Sequence, residues 1–267
     1  MSENWKFIPH REVNASLALG LKIVFAALLF FFGAANANAS TINRPPNYIS
    51  LKSGLVGHWT FDGKDLNTGA AMDASGQGNH GALVNMSTST SRVPGKFGQA
   101  LKFDGVDDYV NLGSPSSLDN LASSTVAAWI YLTKGTGNKM IWGKGSRHRL
   151  WIVNRYVTYD FGYNTTNQRR NSAANVIPLN TWTHVAATKT SSNLGSTIRI
   201  YVNGAETSYP DSGTDGAGGI NADGAYNAWI GEDIYGSLAF QGAIDDLRVY
   251  NRTLSPVEVQ QLYNMGR

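Results

Sequence analysis

The sequence predicts an all-β fold, a two-layer antiparallel β-sandwich of jelly-roll type that ends in one short helix. Three observations predict it. Runs of about four to eight residues rich in Val, Ile, Tyr, Trp and Phe recur along the chain, separated by Gly, Asn, Asp and Ser. Glycine is abundant, at 29 of 267 residues, and charged residues make up only 15%, a balance suited to short strands and tight turns. Helical periodicity is absent until Ser255-Pro256-Val257-Glu258, which has the layout of a capping box: Ser at the N-cap, Pro at N1, Glu at N3.

Residues 1–39 stand apart from that pattern. Lys6, His10, Arg11 and Lys22 precede a charge-free apolar run at 23–32, and small residues follow at 34–40. Ala35-Asn36-Ala37 and Ala37-Asn38-Ala39 both satisfy the small-x-small rule, so 1–39 is expected to be a cleaved export signal. The rival is an uncleaved anchor over 17–35, with Lys22 snorkelling to the interface. Cleavage would place the mature chain outside the cytoplasm: secreted, periplasmic or on the cell surface. The chain has no cysteine, and a domain of this length buries a sufficient core without disulfides. Losing three basic and two acidic residues with the signal takes the formal charge from +3 to +2. So small a charge favours neither nucleic acid nor, once the signal is gone, a membrane as partner.

Residues 40–53, with Pro45-Pro46, read as a linker, and 54–267 as one domain without internal repeat. Strands are expected at 55–61, 100–103, 108–112, 124–132, 139–144, 150–153, 156–163, 181–188, 197–202, 228–230 and 242–250. Asn203-Gly204 marks a hairpin, since both central turn positions need positive φ. In the final helix Val259, Leu262 and Tyr263 share a face, which is expected to seal one end of the sandwich. Trp182 is expected in the core, and His184 as a packed structural histidine. Asp73 and Asn79 are expected to shape their own glycine-rich turn.

Six segments in order resemble the laminin-G-like, concanavalin A-like lectin/glucanase jelly-roll family. They are Gly54-Leu55-Val56-Gly57-His58-Trp59-Thr60-Phe61-Asp62-Gly63, the turn from Asp73 through Gly76 and Asn79 to Gly81, Phe103-Asp104-Gly105-Val106-Asp107-Asp108-Tyr109-Val110, Trp182-Thr183-His184-Val185-Ala186, Ile200-Tyr201-Val202-Asn203-Gly204 and Gly242-Ala243-Ile244-Asp245-Asp246-Leu247-Arg248-Val249-Tyr250-Asn251-Arg252. The resemblance is specific for fold and much less so for function, because the fold hosts lectins, glycosidases, lyases and adhesive domains. It also implies one structural Ca²⁺ at the rim, held by Asp62, the carbonyl of Gly105 and Asp245. Asp104, Asp107 and Asp108 are nearby oxygen donors for such a hard cation. The bland alternative is that these acids cap turns through Asx hydrogen bonds.

Catalysis finds little support. After the signal only Glu206, Glu232 and Glu258 remain, none in the Glu-x-Asp-x-x-Glu spacing that places two carboxylates across a glycosidic bond. A jelly-roll lyase would need a His and a Tyr. His148, His184, Tyr159, Tyr163 and Arg149 are present, yet the Arg-rich strand and Gln-x-His of such lyases are missing. Residues 139–170 carry seven basic side chains against one acid, Asp160, for a local +6. Within that stretch Trp142, Arg147, Arg149, Trp151, Arg155 and Tyr156 are the candidate ligand-binding residues, since aromatic faces stack on sugars and guanidinium forks match carboxylates or sulfates. On 156–163, alternation puts Val157, Tyr159 and Phe161 in the core and Tyr156, Thr158 and Asp160 outward. The expectation is a non-catalytic, calcium-stabilised, extracytoplasmic module that binds a polysaccharide or glycoconjugate, with an acidic polymer as the favoured ligand. The alternatives are an adhesive domain for an extracellular protein and, behind it, a jelly-roll polysaccharide lyase.

Overall fold

The computed structural model describes residues 51–145, 148–232 and 236–266. The expected export signal, most of the expected linker, and Arg147 lie outside the described residues. In chain order the strands are β1 (Leu55–Trp59), β2 (Leu66–Asn67), β3 (Ala70–Ala71), β4 (Gly81–Val84), β5 (Arg92–Pro94), β6 (Gln99–Asp104), β7 (Tyr109–Gly113), β8 (Ser124–Leu132), β9 (Asn138–Lys144), β10 (His148–Val153), β11 (Tyr156–Phe161), β12 (Gln168–Asn171), β13 (Trp182–Lys189), β14 (Arg199–Val202), β15 (Ala205–Glu206), β16 (Ala228–Ile230) and β17 (Gln241–Tyr250). Among the described residues one α-helix, α1 (Pro256–Met265), follows. All eleven expected strands are present. The six that sequence reasoning passed over (β2, β3, β4, β5, β12 and β15) have two to four residues each, too few for alternation to show.

Two antiparallel sheets form the sandwich. The first runs β15-β14-β13-β8-β17-β6-β5, with β1 pairing the second half of β17; the other runs β12-β11-β10-β9-β16-β7-β4-β3-β2. Alternation assigns the faces. On β8, Val126, Ala128, Ile130 and Leu132 enter the core between the sheets, so Ala127, Trp129 and Tyr131 point to the outer face. Facing them from the other sheet are Ile141, Trp142, Leu150, Ile152, Val157 and Tyr159. A bulge in β17 separates the pair Asp245↔Trp129 from Arg248↔Ala127, with Asp246 at φ 47°. The extra residue keeps both Ile244 and Leu247 in the core while Asp245 stays on the outer face.

Helix α1 starts as its sequence requires. Ser255 accepts from the Glu258 amide, and the Glu258 carboxylate accepts from the Ser255 amide in return. The helix does not seal an end of the sandwich, however. Val259 and Leu262 pack with Ala127, Ala186, Tyr201 and Tyr250, which places α1 across the outer face of the first sheet. Two alanines on adjacent strands leave room for a helix there, which the helix's own periodicity could not reveal. The Asn203-Gly204 hairpin forms as expected, at φ 50° and 77°. Leu262→Ala should therefore cost about 2–4 kcal/mol in urea unfolding, as for other buried leucines. Val257→Ala, on the exposed side of the same helix, should stay within about 0.5 kcal/mol; equal losses would contradict this placement of α1.

Candidate functional site

The hairpin between β5 and β6 turns through residues 95–98, closed by the Gly95 amide donating to the Gly98 carbonyl at 3.1 Å. Two carboxylates hold this turn from outside it. Asp245 Oδ2 accepts from the Phe97 amide at 2.8 Å, and Asp62 Oδ1 accepts from the Gln99 amide at 2.9 Å. Gly98 sits at φ 46°, and a Cβ there would collide with Asp62 Oδ1, so the turn needs glycine twice over. Lys96 places its ammonium 4.7 Å above the Trp129 ring, and Phe97 meets the same ring edge-on at 6.4 Å. Tyr263 of α1 stacks on Trp129 at 5.6 Å, and His184 packs beside it at 5.4 Å.

Asp245 is fully buried, and its Oδ1 has no hydrogen-bond partner among the described residues. Burial, with the Asp246 charge beside it, pushes its carboxyl up to about 7. Its neighbour Asp246 behaves oppositely. Burial works against ionisation there too, but His58 Nε2 at 2.6 Å and the Arg248 guanidinium at 3.0 Å hold that carboxyl below its usual range. Adjacent acids thus differ because one has cationic partners and the other has none among the described residues. An unpartnered buried carboxylate oxygen, a second carboxylate and the backbone of a tight turn are the hard oxygen donors that suit Ca²⁺.

The other two expected metal ligands are elsewhere. Asp104 and Gly105 lie at the far end of β6, five residues from Gln99, or about 16 Å at strand rise. They cannot share an ion with Asp62 and Asp245. A Cβ on Gly105, at φ 83°, would come 2.7 Å from the Gln241 Cβ, so that glycine serves the turn's packing. Asp104 does gather with Asp107 and Asp108 within 4.8 Å. Those acids shape their own turn: Asp108 accepts from the Asp104 amide and Asp104 from the Val106 amide. Asp73 likewise organises its loop, accepting from His58, Ser75 and Asn79.

The six candidate ligand-binding residues do not form one surface. Trp142 is wholly buried in the core, edge-on to His148, and cannot stack on a ligand. Arg149 and Trp151 share the outer face of the second sheet, but Arg149 pairs with the buried Asp160 at 2.7 Å, and Arg169 grips the same carboxylate at 2.9 Å. Both guanidiniums lie over the Trp151 ring and leave it 9% exposed. Thr158 and Asp160 do face outward from β11, yet Asn171 and the arginines of neighbouring strands cover them. Arg155 and Tyr156 sit at the β10–β11 tip, roughly 15 Å from Arg149, with Arg155 Nε donating to the Ile177 carbonyl. Lys144 is buried against Asp119 at 2.9 Å. Asp119 offsets one charge of the local +6, and the remaining basic residues are spread over separate places rather than gathered on one surface.

His148 Nε2 and the Tyr159 hydroxyl meet at 2.6 Å, but inside the closed core, 2% and 0% exposed, where no polymer reaches. Of the glutamates, Glu206 pairs with Arg199, Glu232 accepts from the Leu238 amide, and Glu258 belongs to the helix cap and Arg252. They stand on separate elements.

What the sequence reading missed is a groove of about 580 Å³ on the outer face of the first sheet. Register aligns one row across four strands: Lys102 (β6), Ala243 (β17), Tyr131 (β8) and Trp182 (β13). Ala243 leaves the floor low between taller neighbours. Trp182 is half-buried rather than core, because Thr183 and Val185 point inward and it takes the other face. Its ring lies 5.7 Å from that of Tyr131, tilted by 58°. Asp104 and Gln241 form the next row, and Val93 and Pro94 form a wall. The available signal was the alternation within 124–132 and 181–188, which defines a second, aromatic face without saying whether solvent reaches it.

A family model described as the concanavalin A-like lectin/glucanases superfamily matches residues 104–260. Among solved structures the chain is similar to domain 4 of AbnA, a GH43 extracellular arabinanase from Geobacillus stearothermophilus, in complex with arabinotriose (22% identity, 79% of this chain and 98% of that one, TM-score 0.54). It is also similar to the receptor-binding domain of botulinum neurotoxin C/D mosaic serotype (15%, 80% and 52%, TM-score 0.60). A third is Trypanosoma rangeli sialidase (16%, 79% and 33%, TM-score 0.56), of which this chain spans about a third of the length. At these identities the likeness is one of fold. No curated protein matches.

The opposed titrations give a measurable sign. With Asp245 pushed from 3.8 to about 7, the folded state holds that proton more tightly than the unfolded one. The stability this contributes is present below about pH 4 and lost as pH rises through 7. His148 and His184, lowered by burial to about 3 and about 4, act the other way: their contribution is present above about pH 6.5 and lost as pH falls. Comparison with Asp245→Asn cancels the histidines. In chelator, the wild-type Tm should fall relative to that variant between about pH 4 and 7 and run level with it above that. Parallel curves would mean that Asp245 ionises normally.

Proposed function

Because the chain belongs to the concanavalin A-like lectin/glucanase superfamily, we propose that it is an exported, non-catalytic carbohydrate-binding module stabilised by one calcium ion. The observation that carries this reading is the groove on the outer face of the first sheet. There a Tyr131–Trp182 ring pair stands beside Lys102, Asp104 and Gln241. Rings that pack against the C–H face of a sugar, next to amide and charged groups that bond its hydroxyls, are the pairing carbohydrate recognition requires. The arabinotriose complex of the similar arabinanase domain supports the same reading. The interior position of His148 and Tyr159 and the dispersal of the three glutamates favour binding without turnover.

The calcium ion is assigned to the 95–98 turn. Asp245 Oδ1 and the Asp62 carboxylate would hold it, with backbone carbonyls of the turn and water completing the six to eight oxygens that Ca²⁺ takes. Its chemistry there is structural: it supplies the positive partner that Asp245 lacks. Export rests on the signal-like residues 1–39.

Two measurements test the proposal. Retention on a panel of immobilised polysaccharides should be specific, with no new reducing ends and no unsaturated uronates in the eluate. Release of either product would overturn the non-catalytic reading, and retention on none would return the domain to the adhesive alternative. Calcium should raise the wild-type Tm, since a ligand at a hundredfold excess over Kd adds about 2.7 kcal/mol to the folded state. Asp245→Asn should abolish that rise. Equal wild-type melting in calcium and chelator would remove the ion from the account.

A further inference from the structure

The outer faces of the two sheets point to opposite sides of the sandwich, and they differ in charge. On the second sheet, Arg149 and Arg169 are paired through Asp160. On the first, the groove holds one cation, Lys102, and one anion, Asp104, both exposed on alternate positions of β6 and so on the same face. Their charges cancel. Lys96, the cation on the adjoining turn, lies over Trp129. Among the described residues, no arginine lines the groove.

We propose that the groove takes a neutral glycan, with Tyr131 and Trp182 packed against the C–H faces of its sugars and Lys102, Asp104 and Gln241 bonded to its hydroxyls. The inference rests on the carbohydrate-binding reading and goes further by fixing the ligand class. An acidic polymer would gain nothing from a lining whose net charge is zero, and its carboxylates or sulfates would meet Asp104 directly. A hydroxyl donates and accepts, so it satisfies an ammonium, a carboxylate and an amide alike.

Other occupants fit less well. An extended peptide docks by adding a strand to an open sheet edge, whereas this groove lies on a sheet face whose backbone is already paired. The nearest edge strand, β5, ends in Pro94, which has no amide to give. An acyl chain would need continuous apolar lining, and Lys102, Asp104, Thr133 and Gln241 interrupt it. The volume lies within the range of about 300–1,000 Å³ of small-ligand sites, which accommodates a short stretch of sugar chain. The two tilted rings form a wedge rather than a flat platform.

The test is calorimetric titration of the purified protein, in calcium, with two sets of oligosaccharides. One is neutral (gluco-, xylo-, manno- and arabino-oligosaccharides); the other is acidic (alginate and chondroitin sulfate fragments). The variants are Trp182→Ala, Lys102→Ala and Gln241→Ala. Trp182 is partly exposed, so its truncation should leave the melting curve close to wild type, and the other two serve if it does not. At least one neutral set should bind, with little dependence on salt. Trp182→Ala should weaken it about tenfold or more, the loss expected on truncating an aromatic anchor, and Lys102→Ala or Gln241→Ala should weaken it less. Binding confined to the acidic set, weakened by salt and untouched by Trp182→Ala, would overturn the inference and leave the carbohydrate-binding reading standing. Neutral binding indifferent to all three variants would remove the groove as its site. Binding of neither set by the folded protein would bring down the broader reading and this inference with it. A dimer that dissociates in Trp182→Ala, with no glycan bound, would assign the groove to a second copy of the chain.

Discussion

The grip of one buried carboxylate on one turn organises the outer face of the first sheet. Asp245 is carried there by β17, and the bulge at Asp246 lets the strand return Leu247 to the core immediately afterwards. Its Oδ2 binds the Phe97 amide, and that contact draws the β5–β6 turn down onto Trp129, where Lys96 and Phe97 rest. The same hairpin carries Val93 and Pro94, which wall the groove. A carboxylate that joins two strands and one turn therefore also sets the edge of the candidate binding surface. Burial raises that carboxyl to about 7, so an external cation would supply the partner it lacks among the described residues.

That face is divided into three parts. Helix α1 covers Ala127, Ala186, Tyr201 and Tyr250. The 95–98 turn and the tail of α1 cover Trp129, where a Cβ on Gly266 would lie 2.5 Å from the ring. Beyond them, Tyr131 and Trp182 are covered by neither α1 nor the 95–98 turn. Side-chain size along β8 explains the division: alanine where a helix lies, tryptophan where a turn lands, tyrosine where the groove opens. The second sheet closes its own outer face differently, with Trp151 under two arginines that share Asp160. A paired, stacked surface of that kind resists intrusion, and the open groove invites it.

Much of the fold was legible because strand periodicity and turn chemistry are local. The eleven expected strands, the Asn203-Gly204 turn and the Ser255 capping box each follow from a few adjacent residues. What was not legible depended on which residues meet across the sandwich. The count of basic residues in 139–170 suggested a cationic surface, but charge along a sequence says nothing of Asp119 reaching Lys144 or of Asp160 sitting between two arginines. Asp62 and Asp245 were identified through family resemblance and do converge on one turn. Asp104 and Gly105 were placed with them although five residues of strand intervene. Trp182 was misassigned because a large aromatic on a strand fits either face, and only the burial of Thr183 and Val185 fixes which one it takes. The groove itself is made by register among four strands, a long-range property with no local signature.

The central claim, that ligand binds on the Tyr131–Trp182 face, is most directly tested by following the tryptophan indole N–H resonances of isotope-labelled protein during titration with a neutral oligosaccharide. The account predicts that the Trp182 signal moves with saturable dependence on ligand, while those of Trp142 in the core and Trp151 on the opposite face stay fixed. Movement of Trp151 with Trp182 unchanged would contradict it and place recognition on the arginine-covered face of the second sheet.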